Sequence, residues 1–344
     1  MSRLASLAAA AILFIVACGS NASASASDDG PLTLRLGFFP NLTHATALVG
    51  LKKGFFTAAL DSKVSLQTHT FNAGGDAVTA ILSGAIDATF VGPNPTTNAF
   101  VKSHGQAIRV IAGATSGGAL LVVRPSITSP AGLKGAKIAD PQLGGTQDIA
   151  LRWYLQTQGF RSDTSGGGDV HVLPQDNSQT LTAFKQGQID GAWLPEPWAS
   201  RLIVEGGGRV LVDERDLWPQ GRFVTTNLIV STAFLRDHPK RVKALLEGLY
   251  AANAYLNSIP DEAQKVTNDA VAEITGKKLA AGLVSAAWPH MTFTLDPLAD
   301  TLKTSADHAH SVGLLAGVDV RGLYDLKLLN EVLAEHKQPP VSGL

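Results

Sequence analysis

The chain has 344 residues, 45% hydrophobic and 17% charged, with a formal net charge of −1. That apolar content supports a sizeable buried core and excludes intrinsic disorder for most of the chain. The balanced charge, without a basic run, argues against nucleic acid as a partner.

At the N-terminus, Arg3 precedes an apolar stretch, Leu4 to Val16, closed by Ile15-Val16-Ala17-Cys18. The stretch falls short of the roughly 20 apolar residues a permanent membrane helix needs. It predicts a signal peptide over residues 1–17, with Cys18 as the site of lipid attachment. An ordinary secretory signal with an incidental cysteine is the alternative. Cys18 is the only cysteine, so the folded body is expected to lack disulfides and redox chemistry. Residues 18–30, rich in Ser, Ala, Asp and Gly, read as a flexible tether.

Strands are predicted over Leu32–Phe38, Val64–Phe71, Ala88–Val91 and Arg109–Ala114. Helices fall between them over Thr43–Phe56, Gly74–Leu82 and from Thr96 onward. The alternation then restarts. Strands are predicted at Leu120–Val123, Lys137–Ala139, Val170–Leu173 and Ala192–Leu194, with helices at Gln147–Gln158 and Ser178–Gln186. A strand at Phe223–Val230 is placed to return the chain to its first half. The remainder reads as mostly helical, broken at Pro260, Gly276 and Pro289. The pattern predicts an α/β fold with mostly parallel sheets flanked by helices.

Gly84-Ala85-Ile86-Asp87-Ala88-Thr89-Phe90-Val91 resembles Gly187-Gln188-Ile189-Asp190-Gly191-Ala192-Trp193-Leu194. Each copy reads as a helix-ending glycine, a turn and a buried strand followed by prolines. Joints of this kind look alike in many α/β proteins. If the repeat is real, the chain holds two similar lobes. The loops at Gly92-Pro93-Asn94-Pro95 and Pro195-Glu196-Pro197 then face one cleft, since ligands collect beyond the carboxyl ends of strands in open α/β sheets.

Leu34-Arg35-Leu36-Gly37-Phe38-Phe39-Pro40-Asn41, followed by His44 and Lys53-Gly54-Phe55-Phe56, resembles the opening of nitrate/sulfonate/taurine-type substrate-binding proteins of ABC importers. Leu82-Ser83-Gly84-Ala85-Ile86-Asp87, Gly132-Leu133-Lys134-Gly135-Ala136-Lys137-Ile138-Ala139 and Gly187 to Trp193 with Glu196-Pro197 are similar to later segments of that family. The resemblance runs from Leu32 to Leu235, and loosely beyond. It implies a two-lobed, type II periplasmic-binding-protein clamshell. Lobe I comprises residues 31–118 and 223–344, and lobe II residues 119–222. It further implies delivery of a small solute to an ABC permease by a monomer, lipid-anchored outside the cytoplasm. Neither a cofactor nor catalysis is expected. A thiamine-pyrimidine precursor as ligand, an enzyme and a sensor on the same fold are the alternatives.

An anion can be held by unpaired N–H groups at a helix N-terminus. Three candidates occur: Gly74-Gly75; Gly92-Pro93-Asn94, continuing to Pro95-Thr96; and Gly144-Gly145-Thr146-Gln147. Asn41 and His44, after the first strand, offer an amide and an imidazole donor. Trp193 and Trp198 are candidate aromatic walls, and Asn227 is a candidate from the return strand. Glu196 is awkward beside an anion. It either pairs with Arg201 or Arg152 and braces its loop, or binds the ammonium of a zwitterion such as taurine. No metal is expected: His308 and His310 are two apart, and the other histidines lack ligand spacing.

Overall fold

A computed structural model describes residues 30–344. The expected leader, Cys18 and all of the tether except Gly30 lie outside the described residues.

In chain order the first half runs β1 (Leu32–Phe38), α1 (Ala45–Lys52), α2 (Phe55–Ala59), β2 (Val64–Thr70), α3 (Gly74–Leu82), β3 (Ala88–Val91), α4 (Pro93–Lys102) and β4 (Ile108–Gly117). The middle runs β5 (Ala119–Val123), β6 (Lys137–Asp140), α5 (Thr146–Thr157), β7 (His171–Pro174), α6 (Asn177–Lys185), β8 (Gly191–Pro195), α7 (Trp198–Val204) and β9 (Arg209–Asp213). Then come β10 (Val224–Ser231), α8 (Thr232–Asp237), α9 (Pro239–Ser258), α10 (Pro260–Thr275), α11 (Ala281–Ala287), β11 (Met291–Phe293), α12 (Ala299–Ser311) and α13 (Lys327–Glu335).

Two sheets result, one ordered β11-β4-β10-β3-β1-β2 and the other β7-β6-β8-β5-β9. Both are mixed, where a mostly parallel pairing was predicted. β1 lies parallel to β2 and β3, and β6 parallel to β7 and β8. β10 is antiparallel to β3 and β4, and β5 is antiparallel to β8 and β9. The reason is the crossing. β4 runs directly into β5 through Gly117 and Gly118, and β10 carries the chain back into the first sheet. Each sheet thereby gains a strand of opposite direction.

Both faces of each sheet are covered, so the central strands β3, β5 and β8 are buried along their whole length. In β5, Ala119, Leu121 and Val123 join one apolar cluster while Leu120 and Val122 join another on the opposite face. This is the two-residue alternation of a strand buried on both sides.

The two similar segments form the same joint. Asp87 N–H donates to Arg35 O at 2.9 Å, and its Oδ2 accepts from Arg35 N–H at 2.8 Å. Asp190 N–H donates to Lys137 O at 2.8 Å, and its Oδ2 accepts from Lys137 N–H at 2.8 Å. In each case an aspartate stitches the entry of one strand to its parallel neighbour. Gly84 and Gly187, with φ of 73° and 80°, make the helix endings that an L side chain resists.

Some elements depart from the predictions. The helix expected over Thr43–Phe56 is interrupted at Gly54, which adopts φ 72° between α1 and α2. α4 starts at Pro93, not Thr96, because proline suits the first helical turn. β9 and β11 were not anticipated. The first is a short edge strand after three glycines, and the second has three residues, too few to show a period.

Candidate functional site

The parallel strands of both sheets end at one cavity of about 40 Å³. Its walls are Phe39 to His44 after β1, Asn72 to Gly74 after β2, Gly92 and Pro95 after β3, Pro141 to Gln147 after β6, Asn177 after β7 and Pro195 ending β8; not every residue in these runs contributes. Thr225 and Thr226 of β10 complete it. A water needs about 10–15 Å³ by this measure, so the space suits a group of three or four heavy atoms. A second space of about 240 Å³ adjoins it, sharing Asn41, Asn72 and Asn177 and adding Pro40, Phe71 and Trp198.

No residue lining the smaller cavity carries a charge. His44 is buried, stacks on Phe39 with ring centroids 4.4 Å apart, and burial holds its imidazole down at about 3. It is therefore neutral. Its Nδ1 accepts the Phe39 N–H at 3.3 Å, which leaves the proton on Nε2 as a donor. Asn41 is fixed in the same manner. Its Oδ1 accepts the indole N–H of Trp198 at 2.9 Å, so its NH₂ donors are directed elsewhere.

The three predicted helix N-termini are not equivalent. α4 carries Pro93 and Pro95 in its first turn, so two of its donors do not exist. The Asn94 amide faces inward and pairs reciprocally with Ser305 of α12, at 3.1 and 2.8 Å. At α3, Gly74 lines the cavity and no protein acceptor meets its N–H among the described residues, but the next N–H, that of Gly75, donates to Gln142 Oε1 at 2.7 Å. α5 offers two successive donors. Gly145, Thr146 and Gln147 all line the cavity, and no protein acceptor meets the N–H groups of Thr146 and Gln147 among the described residues. These are the donors an anion uses at a helix N-terminus.

The loop before α5 is braced from below. Asp148 Oδ2 accepts the Gly144 N–H at 2.8 Å, while its Oδ1 pairs with Arg152 at 2.7 Å. Asp140 Oδ1 accepts the Gln142 N–H at 3.0 Å. Burial and the neighbouring Asp148 carboxylate push the Asp140 carboxyl well above its ordinary range.

Other predicted site residues have different positions. Trp193 is fully buried in the second sheet's core and donates to Glu214 at 2.7 Å, so it is no wall of the cleft. Its place in a central strand puts it against Tyr154. Trp198 lines the larger space. Glu196 is fully buried and pairs with neither Arg201 nor Arg152, which take Glu205 and Asp148. It accepts from the Ser200 hydroxyl, the Ser200 N–H and His290 Nδ1, at 2.9, 3.1 and 2.7 Å. Both oxygens are thus engaged in bracing the loop and are not presented to a ligand ammonium. Pro93 lies buried at the start of α4, outside the cavity wall. Asn227 is buried in β10, and its amide meets no partner among the described residues. Thr225 and Thr226 beside it reach the cavity instead.

Sequence reasoning missed Asn72, Asn177 and Gln142. The first two follow the second parallel strand of each sheet, so the rule that located Asn41 extends to them.

Two crossing-linked mixed sheets, with a cavity at their facing strand ends, define the two-lobed clamshell of the periplasmic binding proteins. The nitrate-binding protein NrtA from Synechocystis shares this fold, with a TM-score of 0.74 at 15% identity over 90% of each chain. Residues 27–274 match the NMT1-like family, and the chain belongs to it. The bicarbonate-binding protein CmpA of Synechococcus elongatus is 27% identical over 266 residues, 70% of this chain and 58% of that protein. This chain thus spans less than two thirds of that relative's length. The putative aliphatic sulfonates-binding protein of Bacillus subtilis is 23% identical over 335 residues, 95% of this chain and 96% of that one.

Proposed function

We propose that this protein is an extracytoplasmic solute-binding protein that captures a small anion and delivers it to an ABC-type permease. The observation that carries the reading is the uncharged cavity into which the free N-terminal amides of α5 open. Lobe I takes residues 31–118 and 223–344, lobe II residues 119–222, and Cys18 is the lipid attachment site. The lobes hinge at Gly117-Gly118 and Phe223-Val224, the two crossings. Gly117 and Gly118, with φ of 77° and 80°, supply backbone freedom there.

The ligand sits with its oxygens on Thr146, Gln147, His44 and Asn41. Each hydrogen bond to a charged group contributes roughly 1.5–3 kcal/mol. An aliphatic sulfonate fits best, with its headgroup in the small cavity and its chain against Phe71 and Trp198 in the adjoining space. The small volume of the first cavity favours a second reading, a planar oxyanion such as nitrate or bicarbonate.

Calorimetric titration with ethanesulfonate, taurine, nitrate and bicarbonate tests this. Ethanesulfonate is expected to bind one-to-one and to lose about tenfold or more in affinity in His44→Ala. If none of the four bound, the anion reading would fail.

A further inference from the structure

The hydrogen bond between Gly75 and Gln142 joins the lobes by protein atoms alone. Gly75 opens α3 in the first lobe, and Gln142 follows β6 in the second. Gly74, next to Gly75, and Gln142 both line the cavity, so the bond ties together two of the segments that wall it. At 2.7 Å it is a short N–H to O bond. The donor is a first-turn amide, which has no acceptor inside its own helix. The acceptor is a neutral amide oxygen, held in place by the loop that Asp140 and Asp148 brace.

Gly75 is matched to this partner. A Cβ there would lie 2.7 Å from Gln142 Oε1 and 3.1 Å from its Cδ and Nε2. Any side chain at position 75 therefore displaces the Gln142 amide.

We propose that Gln142 is a latch that reaches across the cleft to the N-terminus of α3 and shifts the ligand-free protein towards its closed form. It rests on the clamshell reading of the fold, and not on the identity of the ligand. Part of the closed state is thereby paid for in advance, and the remaining ligand contacts need only complete it. The latch also occupies an anion-seeking helix end with a neutral oxygen. This directs the ligand to α5 and makes Gln142 a determinant of where its headgroup sits.

The test uses the full chain without ligand. Amide exchange of Gly75 is followed by NMR, and the radius of gyration by small-angle X-ray scattering. In the unsubstituted protein the Gly75 amide is expected to be protected. Gln142→Ala and Gly75→Ala are each expected to break the latch, shift the closed-to-open ratio roughly two- to tenfold, and expand the scattering profile. Gln142→Ala should also abolish Gly75 protection. Gln142→Glu keeps an acceptor and is expected to retain both protection and compactness. Melting curves verify that each variant is folded. Unchanged Gly75 protection and scattering in folded Gln142→Ala would overturn the latch. Because no readout involves ligand, a protein that binds none of the anions but loses protection in Gln142→Ala would refute the anion reading alone.

Discussion

Two buried titratable side chains set opposing pH dependences. His44 has an ordinary value of 6.5 and is held at about 3 by burial. Between those values the unfolded chain binds a proton that the folded chain declines, so stability is lost as pH falls from 6.5 towards 3. His308, lowered to about 4 by burial, acts in the same sense. Glu214 behaves oppositely. Burial pushes its carboxyl from 4.5 up to about 8, against the pull of indole N–H groups from Trp193 and Trp218. The folded chain keeps a proton there that the unfolded chain releases, so stability is lost as pH rises from 4.5 through 8. Glu214→Gln mimics the protonated side chain and preserves an acceptor for Trp193. Its melting temperature is expected to fall less than that of the unsubstituted protein between pH 5 and 8. An unaltered slope would show that Glu214 does not carry a proton in the fold. The neutrality of His44 also predicts that anion affinity stays flat from pH 5 to 8.

α5 shows how an element's position was legible while its role was only partly so. Gly144-Gly145-Thr146 correctly marked its start. Nothing in the glycine pattern distinguished it from α3 and α4, because the distinction lies in partners distant in sequence. Gln142 takes the Gly75 backbone donor, and Ser305 takes the side-chain amide of Asn94, turning it to α12. The prolines of α4 are legible in the sequence, and each removes a donor from its first turn. The brace beneath α5 is a buried ion pair, with Arg152 and Asp148 side chains 3% and 0% exposed. Asp148→Ala leaves a buried guanidinium without its carboxylate and frees the Gly144 N–H. Destabilisation of about 3–5 kcal/mol is expected by urea denaturation. A loss below about 1 kcal/mol would mean that Arg152 finds another partner and the loop is held by other means.

For the molecule as a whole, the two-lobed plan was legible because of its repetition. Asp87 and Asp190 occupy matching joints, and each lies just before a buried strand whose carboxyl end reaches the cavity. Strand direction was less legible, because apolar content reveals burial but not which neighbour a strand will pair with. Trp193 was placed at the cleft for a related reason: a strand end near the cleft also has sides that face the core. For Glu196 the loop-bracing alternative fits its contacts, but with Ser200 and His290 as partners in place of an arginine. The central claim is that a small anion is gripped by the backbone of α5 in a cavity without charged side chains. Titrating ¹⁵N-labelled protein with ethanesulfonate and recording amide chemical shifts tests it most directly. The account predicts saturable shifts largest at Thr146 and Gln147, with smaller ones at Asn41 and His44. Saturable shifts confined to another part of the molecule, leaving Thr146 and Gln147 unmoved, would contradict it.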